Sequence, residues 1–137
     1  MPACALHLSA CGHAQAGADR GDHTKLRALE LADEVALLAC RVTERFLREE
    51  LYGLTAHMRR AAISVPSHIV EGCARYSQAD NLRFLYRTLG SLRELHCHIR
   101  LSQRLGFLFN DDVSLSEPTI IETEKVLNGL IKSLRVV

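Results

Sequence analysis

Six side chains near the middle of the chain, Leu82, Leu85, Leu89, Leu92, His96 and Ile99, recur at alternating intervals of three and four. That spacing gathers all six on one face of an α-helix and would scatter them across a strand. It predicts a helix with one buried face. Ser77, with Asp80 three positions on, predicts its start as a capping box. Gly106 predicts its end, with Arg100 and Arg104 in the last turns favouring the negative helix terminus. One apolar face must be covered by other elements, and the remaining periodicities in this chain are helical too.

A first helix is expected over about Thr24–Phe46. Leu31, Val35, Leu38 and Val42 form one stripe on it, and Leu29, Ala32, Ala36 and Ala39 form a neighbouring one. Two stripes imply two covered faces, one of them open to another subunit. Tyr52-Gly53 breaks the chain. A second helix over about Leu54–Arg75 carries Leu54, Met58, Ala61, Val65 and Ile69. Pro66 removes a backbone hydrogen bond inside it and predicts a kink. A fourth helix covers roughly Ser116–Leu134 if Ser116 is the N-cap, with Pro118 in its first turn. If Asn110 caps it instead, Asp111 and Asp112 occupy the first turn and Pro118 lies inside. Residues 1–23 are aperiodic and rich in Ala and Gly, which predicts a flexible arm, or at most a short turn of helix, ahead of one bundle domain over 24–137. Short connections place neighbouring helices antiparallel, in up-down order. With aromatics at only 5% and no Trp, Leu, Ile, Val and Ala must fill the core. The expected class is therefore all-α, an antiparallel up-down four-helix bundle with a kinked second helix.

The net charge is +1, but it is unevenly spread. Residues 1–50 carry six basic and eight acidic groups, residues 105–137 three and five. Residues 75–104 carry six Arg against two acids, the one strongly basic stretch. Five Cys is an odd number without a disulfide spacing, and Cys40, Cys73 and Cys97 fall in helical patterns where a free thiol behaves as a small hydrophobe. A reducing, cytoplasmic compartment is expected. The N-terminus lacks a basic leader followed by an apolar run, and no apolar stretch is long enough to span a membrane.

Two constellations could carry chemistry. Arg59, Arg60, Glu71 and Arg75 on the second helix flank apolar residues, and a carboxylate at Glu71 near the core would need a partner. Arg59 and Glu71 are too far apart along one helix to touch, so partners must come from other helices or subunits, with Glu94 on the third as a candidate. The expectation is a buried structural ion-pair network of Arg59, Arg60, Glu71, Arg75 and Glu94 that fixes helix register. The second constellation is the Arg face of the third helix: Arg83 and Arg87 on one line, Arg93, Arg100 and Arg104 on another. These five are candidates for nucleic-acid phosphates, since repeated cations release counterions from a polyanion. Cys4, His7, Cys11 and His13 are metal-ligand types, but their spacings match no zinc signature, so no metal and no cofactor is assigned. His96 lies on the apolar register and is expected to be a hydrogen-bonded core histidine. There is no Gly-rich phosphate loop, no nucleophile elbow, no His-Glu-x-x-His helix and no evident small-molecule substrate, so no catalytic residue is assigned and an enzyme is not expected.

Tyr52-Gly53-Leu54-Thr55, Arg59-Arg60-Ala61-Ala62, Ser64-Val65-Pro66-Ser67 and Glu71-Gly72 together form a signature. Phe84-Leu85, Gly90-Ser91-Leu92, Glu94-Leu95, Leu105-Gly106 and Leu127-Asn128-Gly129-Leu130-Ile131 continue it in order. Over about residues 25–134 the chain resembles the bacterial four-helix-bundle family named for reading frames within intervening sequences of 23S ribosomal RNA genes. His68, Val70 and His96 stand where that family commonly has Asn, Ala and Glu. The resemblance implies a left-handed bundle assembling as a ring-shaped homopentamer. It also implies a nucleic-acid role, through similarity to the accessory protein of diversity-generating retroelements, which works with a reverse transcriptase and RNA. The functional expectation is a non-catalytic oligomer that binds RNA or DNA or accompanies a nucleic-acid enzyme, with a protein-interaction scaffold as the alternative.

Overall fold

The computed structural model of the chain describes residues 19–50 and 53–135. They form four helices: α1 (Asp19–Thr43), α2 (Leu54–Cys73), α3 (Gln78–Arg104) and α4 (Asn110–Arg135). A single 3-10 turn, Arg48–Glu50, lies between α1 and α2. No strand occurs among the described residues. α1 packs on α2 and α4, and α3 packs on α2 and α4, so the helices sit at the corners of a square with consecutive helices adjacent. This is an all-α four-helix bundle. No helix among the described residues is long and apolar enough to cross a membrane.

The core follows from the periodicities, with one correction on α1. Leu31, Val35 and Val42 are buried, and so are Leu29, Ala32 and Ala39 of the neighbouring stripe. This chain's own helices close most of both stripes, so the doubled pattern leaves little apolar surface over for another subunit. Ala28 and Ala32 are fully buried; small side chains let neighbouring backbones approach closely there. α1 also begins at Asp19, so residues 19–23 of the expected arm are helical. The remainder of that arm, with Cys4, His7, Cys11 and His13, lies outside the described residues.

Helix ends are set by identifiable caps. Ser77 Oγ accepts from the Asp80 N–H at 3.2 Å and starts α3 as the sequence predicts. At its other end Gly106 has φ +83°, and its N–H donates to Gln103 O (3.1 Å) while Phe107 N–H donates to Ser102 O (2.9 Å). That pair of bonds is a Schellman turn, which requires the left-handed residue glycine supplies. α4 starts at Asn110, not Ser116. The Asp112 carboxylate reaches back to accept the Phe109 N–H at 3.3 Å, and Arg45 Nη1 meets the same carboxylate at 3.3 Å. Ser116, fully inside the helix, bonds back to Asp112 O at 2.9 Å. Pro118 and Pro66 both sit inside helices that continue through them.

Two contacts shape the end of the bundle where α3 begins. Gln78 Nε2 donates to Leu134 O, tying the start of α3 to the end of α4. A Cβ placed on Gly72 would stand 3.0 Å from both Asn81 Oδ1 and Phe84 Cβ. α2 and α3 therefore converge at this end because residue 72 has no side chain.

Candidate functional site

The arginines of α3 are all exposed, yet they differ in what they touch. Arg93 Nε donates to Glu124 Oε1 at 3.0 Å. Arg100 Nη2 reaches Glu117 Oε1 at 2.7 Å, and His96 Nε2 lies 3.1 Å from the same oxygen. Seven residues back along α3 is answered by seven forward along α4, as antiparallel helices require. These pairs clasp α3 to α4 beside an open groove of about 520 Å³, lined by Arg93, Cys97, Arg100, Leu101 and Arg104 among others. His96 is half-buried at the edge of this groove and bonded to a carboxylate, rather than set in the core. Cys97, expected as a small core hydrophobe, is exposed on the same outer face, while Cys40 and Cys73 are partly buried.

At the other end of α3 the pattern changes. The Arg87 guanidinium carbon lies 5.1 Å from the centroid of the Phe84 ring. Arg75, just beyond α2, places its own guanidinium carbon 5.0 Å from the same centroid. The His68 ring is tilted against Phe84 with centroids 6.1 Å apart. Phe84 is 7% exposed, so three side chains largely enclose it with the backbone of α2. Among the described residues no carboxylate pairs with Arg75, Arg83, Arg87 or Arg104. An arginine over an aromatic face gains from the ring quadrupole and keeps its in-plane N–H groups free for acceptors.

Among the described residues, the ion-pair network expected of Arg59, Arg60, Glu71, Arg75 and Glu94 does not form. Glu71 is exposed, not buried, and its Oε2 lies 3.4 Å from Nδ1 of His68 on its own helix. It lies two residues past buried Ile69, which turns it about 200° around the helix away from the core. Arg59 Nε donates to the Thr43 hydroxyl at 3.0 Å, and Thr43 in turn donates to Ala39 O at 2.8 Å. Register between α1 and α2 at this point rests on a hydroxyl relay. Arg60 and Glu94 face solvent, and Arg75 is taken up by Phe84. Sequence reasoning missed Phe84 as an organising residue. Its signal was present in Gly72 and Phe84 together, a glycine and an aromatic where two helices meet.

The arrangement defines a class: a four-helix bundle whose third helix exposes five arginines, some paired with carboxylates of α4 and some not. Residues 24–129 match the model of the 23S rRNA-intervening sequence protein family, and the chain belongs to that family. No curated protein matched the chain.

Proposed function

We propose that the chain is a non-catalytic, homo-oligomeric nucleic-acid-associated protein of the cytoplasm, holding RNA or DNA by phosphate contacts from α3. In this reading the bundle is left-handed, bends at Pro66 and closes with four copies of itself into a ring. The observation that carries it is that α3 exposes five arginines, of which Arg83, Arg87 and Arg104 meet no carboxylate among the described residues. Free cations repeated around a ring would displace counterions from a polyanion, giving affinity that falls steeply with salt. Membership of a family named for ribosomal RNA intervening sequences supports the same direction.

Fluorescence anisotropy with structured RNA and with duplex DNA, across a salt series, tests the reading. The parent is expected to bind weakly with little base preference, and Arg83→Glu/Arg87→Glu to abolish binding. No binding at low salt, or binding indifferent to the double substitution, defeats it. Light scattering after size exclusion should give about five times the 15.3 kDa chain mass; a clean monomer at micromolar concentration defeats the oligomer.

A second reading, a scaffold without nucleic-acid contact, is favoured by one observation. Leu47, Leu105, Phe109 and Leu115 are each more than half exposed, all at the end of the bundle where α1 and α3 finish and α4 starts. Such a patch suits protein contact.

A further inference from the structure

We propose that Arg75 and Arg87, stacked on the ring of Phe84, form a phosphate clamp, the point at which this bundle grips a nucleic-acid backbone. The inference rests on the nucleic-acid reading above and narrows it to two residues, one of them outside α3.

Like charges separate unless something holds them together. Arg75 and Arg87 sit 5.0 and 5.1 Å from one ring centroid, so their guanidinium carbons are at most the two distances added, about 10 Å, apart. Among the described residues neither guanidinium has an ion-pair or hydrogen-bond partner to offset the repulsion. Glu71, the acid nearest in sequence to Arg75, lies against His68. Exposed arginines serving only solubility would extend into water and keep their rotamer freedom. These two instead lie against an aromatic surface while their N–H donors stay unspent.

The ring that holds them is itself fixed. A Cβ on Gly72 would meet the Phe84 Cβ at 3.0 Å, so the end of α2 presses directly on the base of that side chain. His68 closes against the ring as well. The guanidiniums are thus mounted on a rigid platform, the condition under which arginine binds an oxyanion with little further ordering. Arg83, exposed one residue before Phe84, adds a third unpaired cation nearby.

The chemistry of the donors selects the ligand. A guanidinium fork matches an anion offering two acceptor oxygens in one plane, and a phosphate offers enough oxygens to serve two forks. Phe84 is too enclosed to stack a base, so recognition here reads backbone and not sequence. Arg93 and Arg100 are the contrasting case: Glu124 and Glu117 already occupy them.

The test uses the full chain and a labelled single-stranded RNA in fluorescence anisotropy over a salt series, with thermal melts to verify that each variant folds. Arg75→Lys/Arg87→Lys keeps both charges and loses the forks. It is expected to weaken binding at least about tenfold while the salt dependence stays close to the parent's, because the counterions released are unchanged. Arg75→Gln/Arg87→Gln should lose as much affinity and flatten the slope of log K against log salt by about 0.7 for each clamp engaged, one phosphate being released per clamp. Arg93→Gln/Glu124→Gln, which removes an ion pair whole and leaves the net charge unchanged, should stay within about threefold of the parent. A lysine variant that binds RNA like the parent overturns the clamp and leaves the broader reading standing. In a separate arm, the arginine Nε–Hε resonances are followed by NMR during titration with inorganic phosphate. Saturable shifts at Arg75 and Arg87, with those of Arg93 and Arg100 unmoved, support the clamp even if the parent binds no RNA; that pairing would defeat the nucleic-acid reading alone and leave free phosphate as the ligand. Absence of those shifts overturns the clamp.

Discussion

The two ends of α3 carry the same residue type on different sides of the helix, one beside α2 and one beside α4, and treat it in opposite ways. Toward the C-terminal end, Arg93 and Arg100 are answered by Glu124 and Glu117 on α4, and the charge becomes a clasp between helices. Toward the N-terminal end, Arg87 is joined by Arg75 on a phenyl ring, with no acid to neutralise either. The difference lies in the neighbour. α4 offers carboxylates at heptad spacing along its contact with α3, whereas the end of α2 offers a glycine, a histidine and another arginine. A count of arginines along a helix therefore overstates its capacity for anions; what matters is how many remain unanswered once the helices pack.

That contrast can be broken most forcefully at Gly72. Gly72→Val would drive a branched side chain into Asn81 and Phe84, where even a Cβ stands at 3.0 Å. Overpacking of this kind typically destabilises by about 1–3 kcal/mol. The melt should shift down by several degrees, and RNA affinity should fall with it because the platform under Arg75 and Arg87 moves. An unchanged melting temperature would show that α2 and α3 have slack at this junction. Ser77→Ala probes the same end more gently. It deletes the acceptor for the Asp80 N–H, and loss of an N-cap costs about 0.5–2 kcal/mol; chemical denaturation should report it as a lower midpoint with an unchanged m-value. The smallest effect on stability is expected at the compensated end. Glu117→Gln/Glu124→Gln frees Arg100 and Arg93 by breaking two pairs whose arginines are more than half exposed, worth roughly 0–1 kcal/mol each. Its consequence for binding should be larger: two newly unpaired arginines per subunit ought to raise RNA affinity and steepen the salt dependence. If affinity does not rise, compensation is not what separates the two ends.

Much of the fold was legible in the sequence because it depends on local spacing. The alternation from Leu82 to Ile99 put Leu85, Leu89, Leu92 and Ile99 in the core, and Ser77 and Gly106 marked both ends of α3. The start of α4 was less legible. Its cap is half of a capping box, made by Asp112 reaching back to Phe109, and a phenylalanine at the N-cap gives no sequence signal. Individual contacts were least legible. Glu71 looks buried when read beside Ile69 and Val70, but two residues is more than half a helical turn and carries it to the surface. Arg59 was expected to find a carboxylate and found the Thr43 hydroxyl, a choice set by how α1 lies on α2. Arg83, Arg87, Arg93, Arg100 and Arg104 were candidates from charge and spacing along α3, but their division into answered and unanswered sets, and the placing of Arg75 beside Arg87 instead of in an ion-pair network, required the neighbouring helices.

The Schellman turn at Gly106 also makes handedness a design variable. The residue sits at φ +83° with nothing within 4 Å of where a Cβ would project. An L side chain would find space there, but the left-handed backbone disfavours it. A chain assembled by chemical ligation with D-alanine at 106 would enter the same turn without strain and with a less mobile unfolded state. Relieving unfolded-state entropy in this way is worth about 0.4–1 kcal/mol, whereas Gly106→Ala with the natural enantiomer should lose stability. Two proteins identical in composition and differing only in the mirror sense of one methyl group would then melt on opposite sides of the parent.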